Sequence, residues 1–195
     1  MAKFFGNLHL VLLVGLVAAI AVIIAFSGYV GDAAQVTSSV LRWLHLFFGI
    51  LWIGLLYYLN FVQVPTMPSV PAELKKGVTG YIAPKVFFFF RYAALFTVLT
   101  GLAIAFHAGW GAQALTFQGQ GADGINLIGL GMWLAIIMFL NVWVIIWPAQ
   151  KKILGIVPAT DEEKAAATPR ALIASRTNLL LSLPMAYAMV NANLG

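Results

Sequence analysis

Two of the three histidines have the residue type and the spacing to bind a redox cofactor. His45 lies shortly after the start of one long apolar segment, and His107 lies at the end of the next. If successive segments cross a membrane in opposite directions, both imidazoles lie at a similar depth, which suits axial ligation of a b-type haem. The same pair could instead hold a copper ion, because imidazole is also a copper ligand.

Three neighbours of His45 fit the same cofactor. Gly49, one helical turn further along, would let a flat macrocycle approach, while Arg42 could pair with a propionate and Trp52 could line the pocket. The structural alternative for His45 is a hydrogen bond to a carbonyl group. Methionines on later segments are alternative axial ligands, although methionine in an apolar helix is usually a packing residue.

A polar and aromatic stripe runs along the segment that contains His45. At about 100° per residue, its members fall within roughly 80° of one another on a helix. They are Arg42, His45, Gly49, Trp52, Leu56, Asn60 and Gln63. Lipid does not tolerate such a face, so we expect it to look into the protein.

A second polar set is predicted at the opposite, inner side of the membrane. It consists of Asn60, Gln63, Arg91, Asn141, Gln150, Arg176 and Asn178. These residues could form a pocket for an anionic polar molecule or a path for protons or ions. Alternatively, they could make hydrogen bonds between helices and contact lipid phosphate.

Composition places these residues in an integral membrane protein. The chain is 62% hydrophobic and 9% charged, far below the charge of a soluble domain. The absence of cysteine excludes covalent c-type haem and cysteine-bound iron–sulfur clusters. The net charge of +5 reflects membrane topology and gives no indication of a nucleic-acid partner.

The predicted fold is an all-α bundle of five transmembrane helices in a single domain, residues 1–195. The predicted spans are 8–29, 40–64, 86–107, 125–147 and 171–191. Ten of the 11 basic residues lie at the N-terminus or at the second and fourth connections. The positive-inside rule therefore places the N-terminus in the cytoplasm and the C-terminus in the periplasm of a bacterial inner membrane.

Local sequence patterns predict the structure of the two connections on the inner side of the membrane. Pro65, Pro68 and Pro71 predict a stiff, extended first connection. In the second, Thr160 and Glu163 form a capping-box pattern for a short surface helix that stops before Pro169. The outer segment 109–124 is rich in glycine and is expected to be an irregular flap.

Three stretches of this sequence resemble a known family. They are Trp43-Leu-His45 with its continuation to Pro65, Phe90-Arg91-Tyr92-Ala93 with Thr100-Gly101, and Trp147-Pro148-Ala149-Gln150-Lys151-Lys152. Together they resemble the membrane domain of the bacterial cytochrome-c-linked urate oxidases (PuuD type). The resemblance implies a redox-linked membrane domain that oxidises or hydroxylates a small molecule and exchanges electrons with a periplasmic cytochrome c. Because no haem c motif is present, we expect a short form without the cytochrome c domain.

Two other functions stay open at this stage. A non-catalytic accessory subunit of a larger respiratory, photosynthetic or oxygenase complex would use the polar stripe and a ridge of small residues on the third segment to contact partner helices. A small transporter or channel would line its path with the inner polar set, and five helices would require a homo-oligomer. The predicted spans contain no carboxylate, which disfavours a carboxylate-driven proton pump.

Overall fold

The computed structural model describes residues 2–120 and 124–192, and every regular element in these ranges is helical. After a helical turn at Ala2–Phe5, there are six helices. They are α1 (Leu8–Val30), α2 (Ala33–Ser69), α3 (Ala72–His107), α4 (Gly111–Leu115), α5 (Ile125–Ile153) and α6 (Asp161–Asn191). The predicted all-α class is therefore confirmed.

Four helices, α1, α2, α3 and α5, are long and apolar enough to cross a bilayer. The chain is accordingly a membrane protein. The fifth predicted span, 171–191, lies within the more polar α6 and stays a prediction. Three helices contain a π-helical turn, at Tyr58–Gln63 in α2, Val78–Ile82 in α3 and Val142–Ile146 in α5.

The contacts divide the chain into two compact units, Met1–Val40 and Leu41–Gly195. In the first unit, α1 begins after Asn7, whose side chain accepts a hydrogen bond from the Leu10 amide at 3.1 Å. No residue of α1 is buried, so this helix presents apolar side chains around its whole circumference. Such a helix is stable only in an apolar surrounding, consistent with a bilayer.

The second unit is a bundle in which α2, α3, α5 and α6 pack around one core. Its largest fully buried side chains are Trp52, Phe90, Leu56, Met138, Val142, Asn60, Asn178 and Ser182. The prediction that the stripe on α2 faces into the protein is confirmed for Trp52, Leu56 and Asn60, which are at most 1% exposed. Hydrogen bonds described below join α2 to α3, α3 to α5, α5 to α6 and α6 to α2.

The first inner connection differs from the prediction. It is helical as far as Ser69, and α3 begins at Ala72, so only Val70 and Pro71 have extended backbone. Pro65 follows the π-helical turn of α2, and Pro68 lies in the 3-10 turn that ends this helix, so both lie within its last turns. The prolines therefore fit within helical turns here.

The capping box of the second inner connection is confirmed. The Thr160 hydroxyl accepts a hydrogen bond from the Glu163 amide at 3.2 Å, and the Glu163 carboxylate accepts one from the Thr160 amide at 3.0 Å. A 2.7 Å ion pair joins Glu163 to Lys152 at the end of α5. The Lys152 hydrogen bond, and then the Thr160 amide, hold the pKa of Glu163 below its usual value.

The predicted stop before Pro169 is wrong, because α6 continues through Pro169 and Pro184 to Asn191. Proline removes one backbone hydrogen bond, and neighbouring helices make such a loss tolerable in membrane bundles. The outer flap also contains structure. The helix α4 packs on α5, where the Trp133 indole donates a hydrogen bond to the Leu115 carbonyl at 2.9 Å.

Candidate functional site

The imidazole of His45 is held in one orientation by α3. Its Nδ1 atom lies 2.9 Å from the Thr97 carbonyl oxygen and 3.2 Å from the Thr100 hydroxyl. A carbonyl only accepts hydrogen bonds, so Nδ1 carries the proton. In a neutral imidazole the other nitrogen, Nε2, then has a free lone pair, as a metal ligand requires.

Gly101 on α3 makes this orientation possible. A Cβ atom at this position would lie 2.9 Å from Cε1 and 3.2 Å from Nδ1 of His45, so only glycine leaves room for the ring. Nε2 lies further away and has no hydrogen-bond partner among the described residues. It is not among the buried polar atoms that lack a partner, so it reaches the molecular surface.

His107 does not meet His45. It is the last residue of α3, and its side chain is exposed. Six residues separate it from Gly101, which places it about 9 Å further along the helix and about 240° around the axis. Joint ligation by the two histidines therefore stays a prediction.

Gly49, expected to leave a slot for a macrocycle, faces α3 instead. A Cβ atom on it would make an ordinary contact with the Thr97 methyl group at 3.9 Å, so this glycine lies next to the neighbouring helix. Arg42 is exposed one turn before His45 and forms no ion pair in the part of the chain that is described. It remains available to a carboxylate such as a propionate.

A ladder of amide side chains, of which Asn60 and Asn178 are buried and Asn141 is half-buried, joins α2 and α5 to α6. Asn60 on α2 donates to the Leu56 carbonyl and to the Ser175 hydroxyl, each at 2.9 Å. Asn141 on α5 donates to the Asn178 side chain of α6 at 2.7 Å. Two residues of the predicted inner set, Asn60 and Asn141, are thus brought to α6, where Asn141 bonds a third, Asn178, and these bonds fix how α2 and α5 pack against α6.

Three buried polar atoms on α2 have no partner among the described residues: Trp52 Nε1, Asn60 Oδ1 and Gln63 Oε1. All three belong to the predicted stripe. An unsatisfied buried polar group costs about 1–3 kcal/mol, so such groups indicate a water molecule or ligand at the site. Asn60 and Gln63 also lie in the π-helical turn of α2, and such turns are frequent at functional sites.

Arg91 stacks on aromatic rings instead of pairing with a carboxylate. Its guanidinium carbon lies 3.8 Å from the centre of the Trp147 ring and 5.1 Å from that of Tyr92. The Arg91 carbonyl also accepts a hydrogen bond from the Trp143 indole at 3.2 Å. Two separated stretches of the family resemblance, at 90–101 and 147–152, therefore meet at this arginine.

The copper alternative stays a prediction. The described residues contain no group of three or more histidine, cysteine, aspartate or glutamate side chains that could hold a metal ion. A haem brings four nitrogen ligands of its own and needs only one or two from the protein. The oriented lone pair of His45 is a single nitrogen ligand of the kind that either group takes.

The sequence did not identify the residues that orient His45. Thr97 and Gly101 are members of the small-residue ridge Ala93, Thr97, Gly101 and Ala105, whose spacing of four predicts close helix packing. That packing is present, but one of the groups packed into the ridge is an imidazole. The signal that could have revealed this contact is a glycine on the helix next to the one that carries the histidine of the polar stripe.

Comparison with protein families gives a match to a family model. The family model described as urate oxidase N-terminal matches residues 85–195, which is more than half of the chain. This region contains the stretches at 90–101 and 147–152, with Arg91, Thr97, Gly101 and Trp147. Neither the curated proteins nor the solved structures yield a match.

Proposed function

This chain belongs to the urate oxidase N-terminal family, and on that basis we propose that it is a redox-linked membrane domain. The haem b that we propose at His45 rests on the contacts of that side chain, because the family match begins at residue 85. The domain would pass electrons to or from a cytochrome c at the periplasmic face. From the family name we also propose urate, or a related small molecule, as the compound that is oxidised or hydroxylated. The observation that carries the proposal is the fixed imidazole of His45.

His45 would hold the haem iron through Nε2. Its Nδ1–H is committed to the Thr97 carbonyl, so Nε2 is presented in the deprotonated state that ligation needs. Arg42, one turn away and without a described ion pair, would bind a propionate. When bound, the haem would supply one-electron transfer, which none of the side chains here provides.

The inner half of the bundle would hold the polar compound. Asn60 and Gln63 offer unpartnered oxygens, which accept hydrogen bonds from N–H groups, and Trp52 offers an unpartnered N–H. Arg91 is a cation without a described carboxylate partner and would attract an anion. Asn141 would position α6 behind this pocket through its bond to Asn178.

The topology that accompanies this proposal has five spans in one domain, with the N-terminus cytoplasmic and the C-terminus periplasmic in a bacterial inner membrane. The fifth span is the part of α6 from about residue 171. It is supported by its packing in the bundle, because Asn178 and Ser182 are fully buried there. His45 then lies toward the periplasmic side and the amide ladder toward the cytoplasmic side.

The test is an absorption spectrum of the detergent-purified protein, oxidised and then reduced with dithionite. We expect a Soret band and sharp reduced α and β bands, which His45→Ala abolishes and His107→Ala leaves in place. Circular dichroism of both variants shows whether they remain folded. A featureless spectrum from folded wild-type protein purified after expression with haem supplied would refute the haem.

A colourless protein would favour the second candidate, an accessory subunit of a larger membrane complex. The small-residue ridge on α3, which that role would use to contact a partner helix, is already covered by other parts of this chain. Ala93, Thr97 and Ala105 are at most 6% exposed, and Gly101 contacts His45. A partner helix would therefore have to bind elsewhere, so the observations favour the redox proposal.

A further inference from the structure

A groove between α5 and α6 is separate from His45 and shares only Asn141 with the polar pocket proposed above. It has a volume of about 940 Å³, and most of its lining is aliphatic, including Leu140, Val144 and Ile173. Arg170 lies near the end of the groove that faces the connection between the two helices, and Asn141 and Thr177 also line the groove. The groove thus combines a long apolar wall with a cation at one end.

The cation at this end has no acidic partner among the described residues. The two ion pairs of this region join Lys152 to Glu163 and Lys164 to Asp161, which leaves Arg170 unneutralised. Its side chain is exposed, so an incoming group can reach the guanidinium. A guanidinium binds phosphate through two parallel hydrogen bonds, which fixes both the position and the orientation of the bound group.

We propose that this groove binds one anionic phospholipid, with its phosphate on Arg170 and an acyl chain along Leu140, Val144 and Ile173. A basic residue at the cytoplasmic end of a cleft between membrane helices is the arrangement that holds acidic lipid headgroups. The apolar wall excludes a purely polar anion from most of the groove. The proposal is independent of haem binding at His45.

The experiment measures lipid binding to the full chain by native mass spectrometry. The detergent-purified protein is titrated with phosphatidylglycerol and with phosphatidylcholine of the same acyl chains. Phosphatidylglycerol should bind more tightly, and Arg170→Gln should weaken it about fivefold, the expected effect of one basic residue at a membrane surface. The matched control is Arg176→Gln, an exposed arginine on the same helix that does not line the groove.

A second variant tests the groove itself. Val144 is 63% exposed, so Val144→Trp should fill the groove without disturbing the core, and it should weaken both lipids. Three results would overturn the proposal. They are an equal loss in Arg170→Gln and Arg176→Gln, tight Arg170-dependent binding of inorganic phosphate without lipid, and a dimer that Val144→Trp dissociates, since a second copy would then be the occupant.

Discussion

Replacing Gly101 by alanine tests the orientation of His45 directly. The added methyl group would lie 2.9 Å from Cε1 of the imidazole, while ordinary contact begins at 3.4 Å, so the ring must move by about 0.5 Å (3.4 − 2.9). Nδ1 now lies 2.9 Å from the Thr97 carbonyl, and a shift of that size away from α3 takes it outside good hydrogen-bond geometry. The change therefore acts on the ligand orientation as well as on packing.

The expected cost can be estimated from three contributions. The lost hydrogen bond is worth about 1 kcal/mol. Overpacking a well-filled contact costs about 1–3 kcal/mol. Alanine regains up to about 1 kcal/mol of helix propensity over glycine. The net prediction is a decrease of about 2 kcal/mol in the free energy of unfolding.

Gly49→Ala is the matched control, because its methyl group would meet Thr97 at an ordinary 3.9 Å. Unfolding of both variants in mixed micelles with dodecyl sulfate, followed by circular dichroism, gives the comparison. Gly101→Ala should unfold more easily than wild type, whereas Gly49→Ala should be unchanged or slightly more stable. Equal stability of the two variants would show that the imidazole does not rest on Gly101, and the reasoning about Nε2 would fail.

Two further predictions concern α6. A double-mutant cycle of Asn141→Ala and Asn178→Ala should give a coupling energy of about 1 kcal/mol, because their 2.7 Å bond lies inside the bundle, and additive effects would exclude it. Glu163 has a lowered pKa because of Lys152, so its stabilising contribution is present above its unfolded value of 4.5 and is lost as the pH falls through the folded pKa. Glu163→Gln should therefore flatten the decline in stability on acidification below about pH 4.5, and an unchanged pH profile of unfolding would contradict this.

The sequence was sufficient to predict the features that are determined within a single helix. Periodicity alone identified the face of α2 that carries Trp52, Leu56 and Asn60, because a single helix fixes which residues share a side. The capping box at Thr160 was predictable for the same reason, because it joins two residues that are three positions apart. The same reasoning failed at Pro169, where packing of α6 in the bundle outweighs the local preference to stop the helix.

Contacts between helices were not predictable in this way. The pairing of Asn141 with Asn178 and the stacking of Arg91 on Trp147 depend on which helices are neighbours and on their relative depth. Hydropathy constrains neither quantity, since every apolar helix suits lipid equally well. The predicted partnership of His45 with His107 assumed equal depth and facing sides, and the helical geometry around Gly101 does not support the second assumption.

The π-helical turns at Tyr58–Gln63 and Val142–Ile146 have a consequence for relatives of this chain. Each such turn accommodates one residue more than an α-helical turn without interrupting the helix. A homologue could therefore lack one residue within either turn and still keep both flanking halves of the helix in place. In an alignment, a single-residue gap at these two places would mark the loss of a wide turn, and with it a changed presentation of Asn60.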